Sequence, residues 1–208
     1  IIITACGSAY YAGCAGKYTI EKLTGIPVSV ELASELRYSD PIVDEHTMLI
    51  VLSQSGETLD TICAMRELKS RGVKTFAIVN VVGSTIAKLA DKVLYTYAGP
   101  EIAVATTKGY TTQVAVLYLF AVFAGEILGK ISSEDVEKLT GEILLIPSQI
   151  QRAIDLNPHI PELAKKYHDN PSLFFIGRNV DYAVALEGSL KMKEISYLHS
   201  EAYAAGEL

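Results

Sequence analysis

Three hydroxyls, a carboxamide and a glycine crowd six consecutive positions, Ser53-Gln54-Ser55-Gly56-Glu57-Thr58. The apolar run Met48 to Leu52 stops at this cluster, and a helical pattern starts directly after it. In open α/β sheets ligands bind at such places, outside the carboxyl ends of the strands. The first N–H groups of a helix have no partner within the helix, and its dipole favours an anion. Short hydroxyl side chains add donors without charge, and a glycine lets the backbone approach closely. A plain helix cap needs only one Ser or Thr. The segment therefore predicts a phosphate cradle. It lacks the lysine of the G-x-x-x-x-G-K-[ST] loop, which favours a small phosphorylated metabolite over a nucleoside triphosphate.

Further hydroxyl loops recur at strand ends. Cys6-Gly7-Ser8 follows the first apolar run, with Ser8 near a helix start. Val104-Ala105-Thr106-Thr107-Lys108 opens a long helical pattern, and here capping and ligand binding are equally open. Lys191 and Glu194 sit three residues apart on a predicted helix, and Glu187 lies one turn earlier on the same face. Leu186, Leu190, Met192, Ile195 and Leu198 nearly surround that helix, so it is expected to be buried. A buried carboxylate beside a lysine is a candidate general acid or base, because each group tunes the other. Of the four histidines only His199, just past this helix, is placed to take part.

These groups need a frame, and the pattern supplies one by alternating strand and helix. Strands are predicted at Ile1 to Ala5, Pro27 to Leu32, Met48 to Leu52, Thr75 to Val79 and Val93 to Tyr97. Helices fall between them at Ser8 to Leu23, about Ser34 to Tyr38, Thr58 to Ser70 and Ser84 to Ala90. The runs IIITA, MLIVL and TFAIV are continuously apolar, as parallel strands covered on both faces require. A five-stranded, doubly wound α/β layer follows. Thr106 to Lys166 reads as almost all helix: an apolar piece to Leu128, a second capped by Ser132 with Asp135, and a break or kink at Pro147. A last unit, strand Leu173 to Arg178 and helix Ala183 to Tyr197, repeats the strand–glycine–Tyr-Ala order of the first. It predicts a duplicated domain whose second copy stops after its first helix.

The composition narrows the class. The 24 acidic residues outnumber the 18 basic ones and no basic cluster occurs, which argues against nucleic acid. Cys6, Cys14 and Cys63 follow no C-x-x-C spacing and are expected to be reduced core thiols of a cytoplasmic protein. Val114 to Gly125, bounded by Gln113 and Glu126, is too short to span a bilayer and is expected as a buried core helix, not a membrane segment. No metal-ligand spacing and no G-x-G-x-x-G occur, so neither a metal nor another cofactor is called for. Ile1-Ile2-Ile3 begins inside a predicted strand and Leu208 follows Ala-Gly-Glu without an obvious terminus, as expected of a fragment.

Ser53-Gln54-Ser55-Gly56-Glu57-Thr58 resembles the phosphosugar signature of sugar isomerase (SIS) domains. Leu186 to Tyr197, running on to Glu201-Ala202-Tyr203-Ala204-Ala205-Gly206-Glu207-Leu208, and Glu101 to Lys108 with Thr111-Thr112-Gln113 are similar to the isomerase region of the glucosamine-6-phosphate synthases. The resemblance implies a three-layer αβα SIS fold at 1–130, a helical connector at 131–170 and the beginning of a second SIS domain at 171–208. It implies fructose 6-phosphate as substrate, glucosamine 6-phosphate as product, a glutaminase domain as the source of ammonia, and a homodimer. It places the phosphate on Ser53, Gln54, Ser55 and Thr58, and the sugar near Ser8, Val104 and Thr106. Glu194 matches the carboxylate that moves a proton between C1 and C2, and Lys191 a lysine that assists it. The family often has Gly-Thr-Ser where this chain has Gly7-Ser8-Ala9, so a sugar-facing hydroxyl is missing at Ala9. The glutaminase nucleophile is absent, and the family's ring-opening histidine and carboxyl-terminal lysine are expected beyond Leu208. A regulatory phosphosugar-binding SIS module and a stand-alone phosphosugar isomerase or deglycase are the rival readings. A regulator has no need of the Lys191/Glu194 pair, and the match over Lys193 to Leu208 argues against a deglycase.

Overall fold

The computed structural model describes residues 1–208. Five parallel strands, β1 (Ile2–Ala5), β2 (Ser29–Leu32), β3 (Met48–Ser53), β4 (Lys74–Val79) and β5 (Lys92–Tyr95), form one sheet in the order β2-β1-β3-β4-β5. Successive strand residues point to opposite faces, so the apolar runs feed two cores at once. Ile2, Leu49, Val51, Ala77 and Val79 pack with Leu36 of α2 (Ala33–Leu36), Ile62, Met65 and Leu68 of α3 (Leu59–Ser70), and Ile86 of α4 (Thr85–Leu89). Ile3, Ala5, Ile50, Leu52 and Ile78 pack on the other side with Ile20 of α1 (Ser8–Thr24) and Leu117 of α5 (Lys108–Ile127). The three-layer αβα arrangement is the expected one. The second strand starts two residues late, because Pro27 has no N–H to give the ladder and Ser29 N–H is the first to bond, to the Ile1 carbonyl.

The helix α5 falls within the predicted span Thr106 to Leu128 and runs 20 residues through Gln113 and Glu126, long and apolar enough to cross a membrane by length and composition. It is not wholly buried, contrary to expectation. Gln113, Val116, Leu117 and Ala121 face inward, while Phe123 and Ile127 are exposed. Its inner face lies against α1, where Gly16 leaves room for Leu117: a Cβ on Gly16 would come within 2.6 Å of Leu117 Cδ1. The cysteines are also less buried than expected, each being only partly covered.

The helix α6 (Ser133–Ile154) begins at the anticipated capping box, in which Asp135 N–H donates to Ser132 Oγ (3.1 Å) and Ser132 N–H to Asp135 Oδ2 (3.1 Å). It runs on through Pro147, which therefore does not start a new segment. A proline there forfeits one hydrogen bond but its φ is helical, and the turns on either side carry the helix on. A short 3₁₀ turn (Asn157–His159) and α7 (Ile160–Tyr167) follow, and neither α6 nor α7 buries a residue.

The chain then forms β6 (Ser172–Gly177), α8 (Val180–Ser196) and β7 (His199–Ala204), a parallel crossover unit. The strand β7 lies beyond the helix at which this unit was expected to stop, and its residues HSEAYA lack the continuous apolar run of the inner strands. The repeat between first and last units is visible in the backbone. Gly7 before α1 has φ 57 and ψ −136, and Asn179 before α8 has φ 60 and ψ −126. The helix α8 packs on α1 and on its own two strands. It is half-covered instead of enclosed: Ala183, Ala185, Glu187 and Ser189 are buried, while Ile195 is 68% exposed. Counting leucines gave the helix no direction, and the buried stripe is made of small residues plus one carboxylate.

Candidate active site

The sheet order reverses direction at β1 and β3, β2 lying to one side and β4 to the other. The loops after β1 and β3 therefore diverge and leave a crevice at the strand ends. A cavity of about 240 Å³ opens there. Ser8 and Ala9 of α1 line it from the first loop, and Ser53, Gln54, Ser55 and Thr58 line it from the second. Val104 and Thr106 approach from the segment before α5, and Glu194 reaches in from α8. Nine sequence-predicted site residues were thus at issue, and eight lie on one wall system. The ninth, Lys191, touches the cavity only through its ion pair with Glu194.

The cradle is built by its own hydrogen bonds. Gly56 N–H donates to Ser53 Oγ (2.9 Å), Glu57 N–H donates to Ser55 Oγ (3.2 Å), and the Ser53 and Thr58 hydroxyls share a bond of 3.1 Å. Thr58 precedes α3 but its side chain makes no cap bond, so the capping explanation of this loop does not hold. Gly56 is required twice. Its φ is +67°, and a Cβ would stand 2.0 Å from Ser84 Oγ. The loop also anchors α4, since Ile86 N–H donates to the Gly56 carbonyl (3.0 Å) and Thr85 N–H to Glu57 Oε1 (2.7 Å). The fixed turn leaves the first-turn N–H groups of α3 facing the crevice.

On α8, Lys191 Nζ lies 2.5 Å from Glu194 Oε2 and 3.4 Å from Glu187 Oε1. The carboxylate of Glu187 is enclosed, and neither oxygen accepts a well-formed hydrogen bond. Burial pushes its pKa up, while the Ser8 hydroxyl and the Lys191 ammonium pull the other way. Tyr110 of α5 also has a buried hydroxyl without a partner. Its pKa is raised by burial first and by the charge of Glu187 second. His199, in contrast, is exposed on β7 beside Glu201 (3.7 Å) and does not line the cavity.

Cys6 of the first candidate loop lines the cavity, and the structure adds residues that pattern reading passed over: Gly109, Tyr110 and Gln113 line it too, and Gln113 is only 2% exposed. A signal for Gln113 was present: a lone carboxamide interrupting an apolar helix face is informative because buried polar groups are rare. Gly109 and Gln113 are four residues apart, which places them on the same face. Glu101 acts from behind the wall. Its Oε2 accepts from Thr106 Oγ1 (2.9 Å) and from Gly109 N–H (3.3 Å), and it thereby caps α5, which Thr107 does not.

Comparison with known proteins agrees with this geometry. A family model described as SIS domain matches residues 1–123 and 166–208. The chain is 55% identical over 208 residues to a Clostridium tetani protein named glutamine–fructose-6-phosphate aminotransferase [isomerizing], covering 100% of this chain and 34% of that protein. Its namesake from Symbiobacterium thermophilum is 53% identical over the same span and again covered to 34%. The chain therefore spans about a third of the length of these relatives. Among solved structures, the C-terminal domain of glucosamine-fructose-6-phosphate aminotransferase from Francisella tularensis has a TM-score of 0.97 at 39% identity, with 100% of this chain and 59% of that one covered.

Proposed function

Since the chain belongs to the SIS domain family, we propose that it is the isomerising part of a glutamine–fructose-6-phosphate aminotransferase. The observation that carries this reading is the meeting of the Ser53–Thr58 cradle and Glu194 on the walls of one cavity. The cradle hydroxyls, Gln54 and the start of α3 hold the phosphate, with Ser8 beside them. Val104 and Thr106 face the sugar hydroxyls. Glu194 takes a proton from C1 and returns it to C2 while the O1 hydroxyl proton passes to O2, or to the nitrogen of the C2 imine formed with ammonia, which turns the ketose into the aldose or the imine into the 2-amino aldose. Lys191 balances the charge of Glu194 throughout, and a carboxylate held this way beside the C1–C2 edge suits proton transfer.

Residues 1–130 act as the phosphosugar-binding SIS domain, 131–170 as a connector, and 171–208 as the start of a second SIS domain that delivers Glu194. The remainder of a full-length protein would contribute the glutaminase domain that supplies ammonia, in a cytoplasmic homodimer that releases glucosamine 6-phosphate. The test is the conversion of fructose 6-phosphate to glucose 6-phosphate by the full-length protein, followed with a coupled dehydrogenase. Glu194→Gln should slow it by about 100-fold or more with little change in sugar-phosphate affinity. An unchanged rate contradicts the assigned base. Tight binding of fructose 6-phosphate with no conversion by the unaltered protein would favour the regulatory module instead.

A further inference from the structure

Three helices, α1, α3 and α5, point their first turns toward the cavity, and each start is attractive to an anion. A phosphosugar has one phosphate, so something must decide which helix receives it. The three ends differ in charge. The first turn of α1 carries no acidic residue, and the carboxylate its Ser8 hydroxyl faces, Glu187, is paired with Lys191 at 3.4 Å. The first turn of α3 has Asp60, but Asp60 is paired with Arg37 at 3.3 Å and does not line the cavity. At α5 the carboxylate of Glu101 sits on the helix start itself, accepting from Gly109 N–H and Thr106 Oγ1. Lys108, the first residue of α5, is exposed and is not part of the wall.

Two consequences follow from elementary chemistry. A full negative charge outweighs the fractional positive charge of the helix end, roughly half an elementary charge, so phosphate is repelled there. The hydroxyl of Thr106 also spends its only proton on Glu101, because an ionised carboxylate can only accept. Toward the cavity Thr106 then offers lone pairs alone. A sugar hydroxyl can donate to them, whereas a phosphate oxygen cannot. Gly109 makes the arrangement possible: a Cβ there would lie 2.5 Å from Thr106 Oγ1 and 3.3 Å from Gln54 Cγ. The same hydrogen bonds hold the Glu101 carboxyl below its ordinary range and therefore ionised.

We propose that Glu101 is a positioning residue that fixes which way round the substrate binds, by closing the α5 end of the cavity to phosphate and turning Thr106 into a hydroxyl acceptor. The inference rests on the phosphosugar reading of the cavity. It makes the site selective for sugar monophosphates over bisphosphates, because a second phosphate finds no free helix start: Glu101 closes the α5 end, and the C1–C2 edge lies beside the carboxylate of Glu194.

The test compares the affinities of fructose 6-phosphate and fructose 1,6-bisphosphate by calorimetry, in the full-length protein and in Glu101→Gln and Glu101→Ala. The unaltered protein should prefer the monophosphate by about tenfold or more, and each folded variant should narrow that ratio by roughly fivefold. A residue that merely holds the loop would weaken both ligands alike, so an unchanged ratio in a folded variant overturns the proposal. Equal affinity for the two ligands in the unaltered protein overturns it without any variant. Absence of fructose 6-phosphate binding in the unaltered protein is a different failure, since it removes the functional reading on which the inference stands.

Discussion

Single residues decide whether the cradle exists. Gly56 combines a φ of +67° with contact against the buried Ser84, whose Oγ would be 2.0 Å from an added Cβ. A left-handed backbone alone disfavours a non-glycine residue by about 1–2 kcal/mol. Gly56→Ala should therefore destabilise the chain by roughly 2 kcal/mol or more once the clash is included, read as a lower midpoint in urea unfolding. It should also weaken sugar-phosphate binding, because the Gly56 N–H bond to Ser53 Oγ shapes the loop. At this scale the sequence was most legible where residue types were concentrated: Ser53, Gln54, Ser55 and Thr58 share one short stretch and one wall. It was least legible for Glu101 and Tyr110, whose importance comes from what folding sets beside them, Thr106 in one case and the charge of Glu187 in the other.

Elements are held in register by polar locks as well as by the two cores. Asp91, just before β5, accepts from Thr75 N–H and Thr75 Oγ1 of β4 (2.8 Å each) and from Lys69 Nζ of α3 (2.7 Å). Its pKa is depressed to about 2 from the ordinary 3.8, first by Lys69 and then by the Thr75 backbone. A depressed folded value means the stabilisation is present above the ordinary pKa and fades as pH falls toward about 2. Since the carboxylate is 36% exposed, solvent screening limits the effect. Asp91→Asn should cost about 1 kcal/mol near neutral pH, and the gap between variant and parent should close in acid. Chemical unfolding across that pH range checks it, and a gap independent of pH contradicts it.

Continuous apolar runs made the inner strands β1, β3 and β4 readable, because a parallel strand covered on both faces has no polar side to confuse it. The strand β7 was missed for the converse reason. Its sequence carries His199, Ser200 and Glu201, and its pairing with β6 is settled by the crossover through α8 and not by its own pattern. The burial of α8 was overstated because an apolar count ignores what neighbours the helix has. Its main packing is against α1 and the two strands. Pro147 starts no new segment for a local reason: the φ it enforces is one a helix already uses.

For the molecule as a whole, the sheet reversal between β1 and β3 creates the crevice, the starts of α1 and α3 give it an anion-attracting rim, and the crossover unit brings in Glu194. The parts come from opposite ends of the chain. Cys6 and Glu194 are far apart in sequence yet line one cavity, held by the packing of α8 on α1. No local pattern encodes that meeting; the sequence raised it as a convergence of three strand-end loops with the Lys191/Glu194 helix, and the resemblance to SIS domains gave it a substrate. The joint arrangement has a direct test in the crystal structure of the protein with fructose 6-phosphate bound. The expected complex has the phosphate on Ser53, Ser55 and Thr58, with the C1–C2 edge of the sugar beside Glu194. A phosphate seated at the start of α5, or a sugar turned away from Glu194, would contradict it.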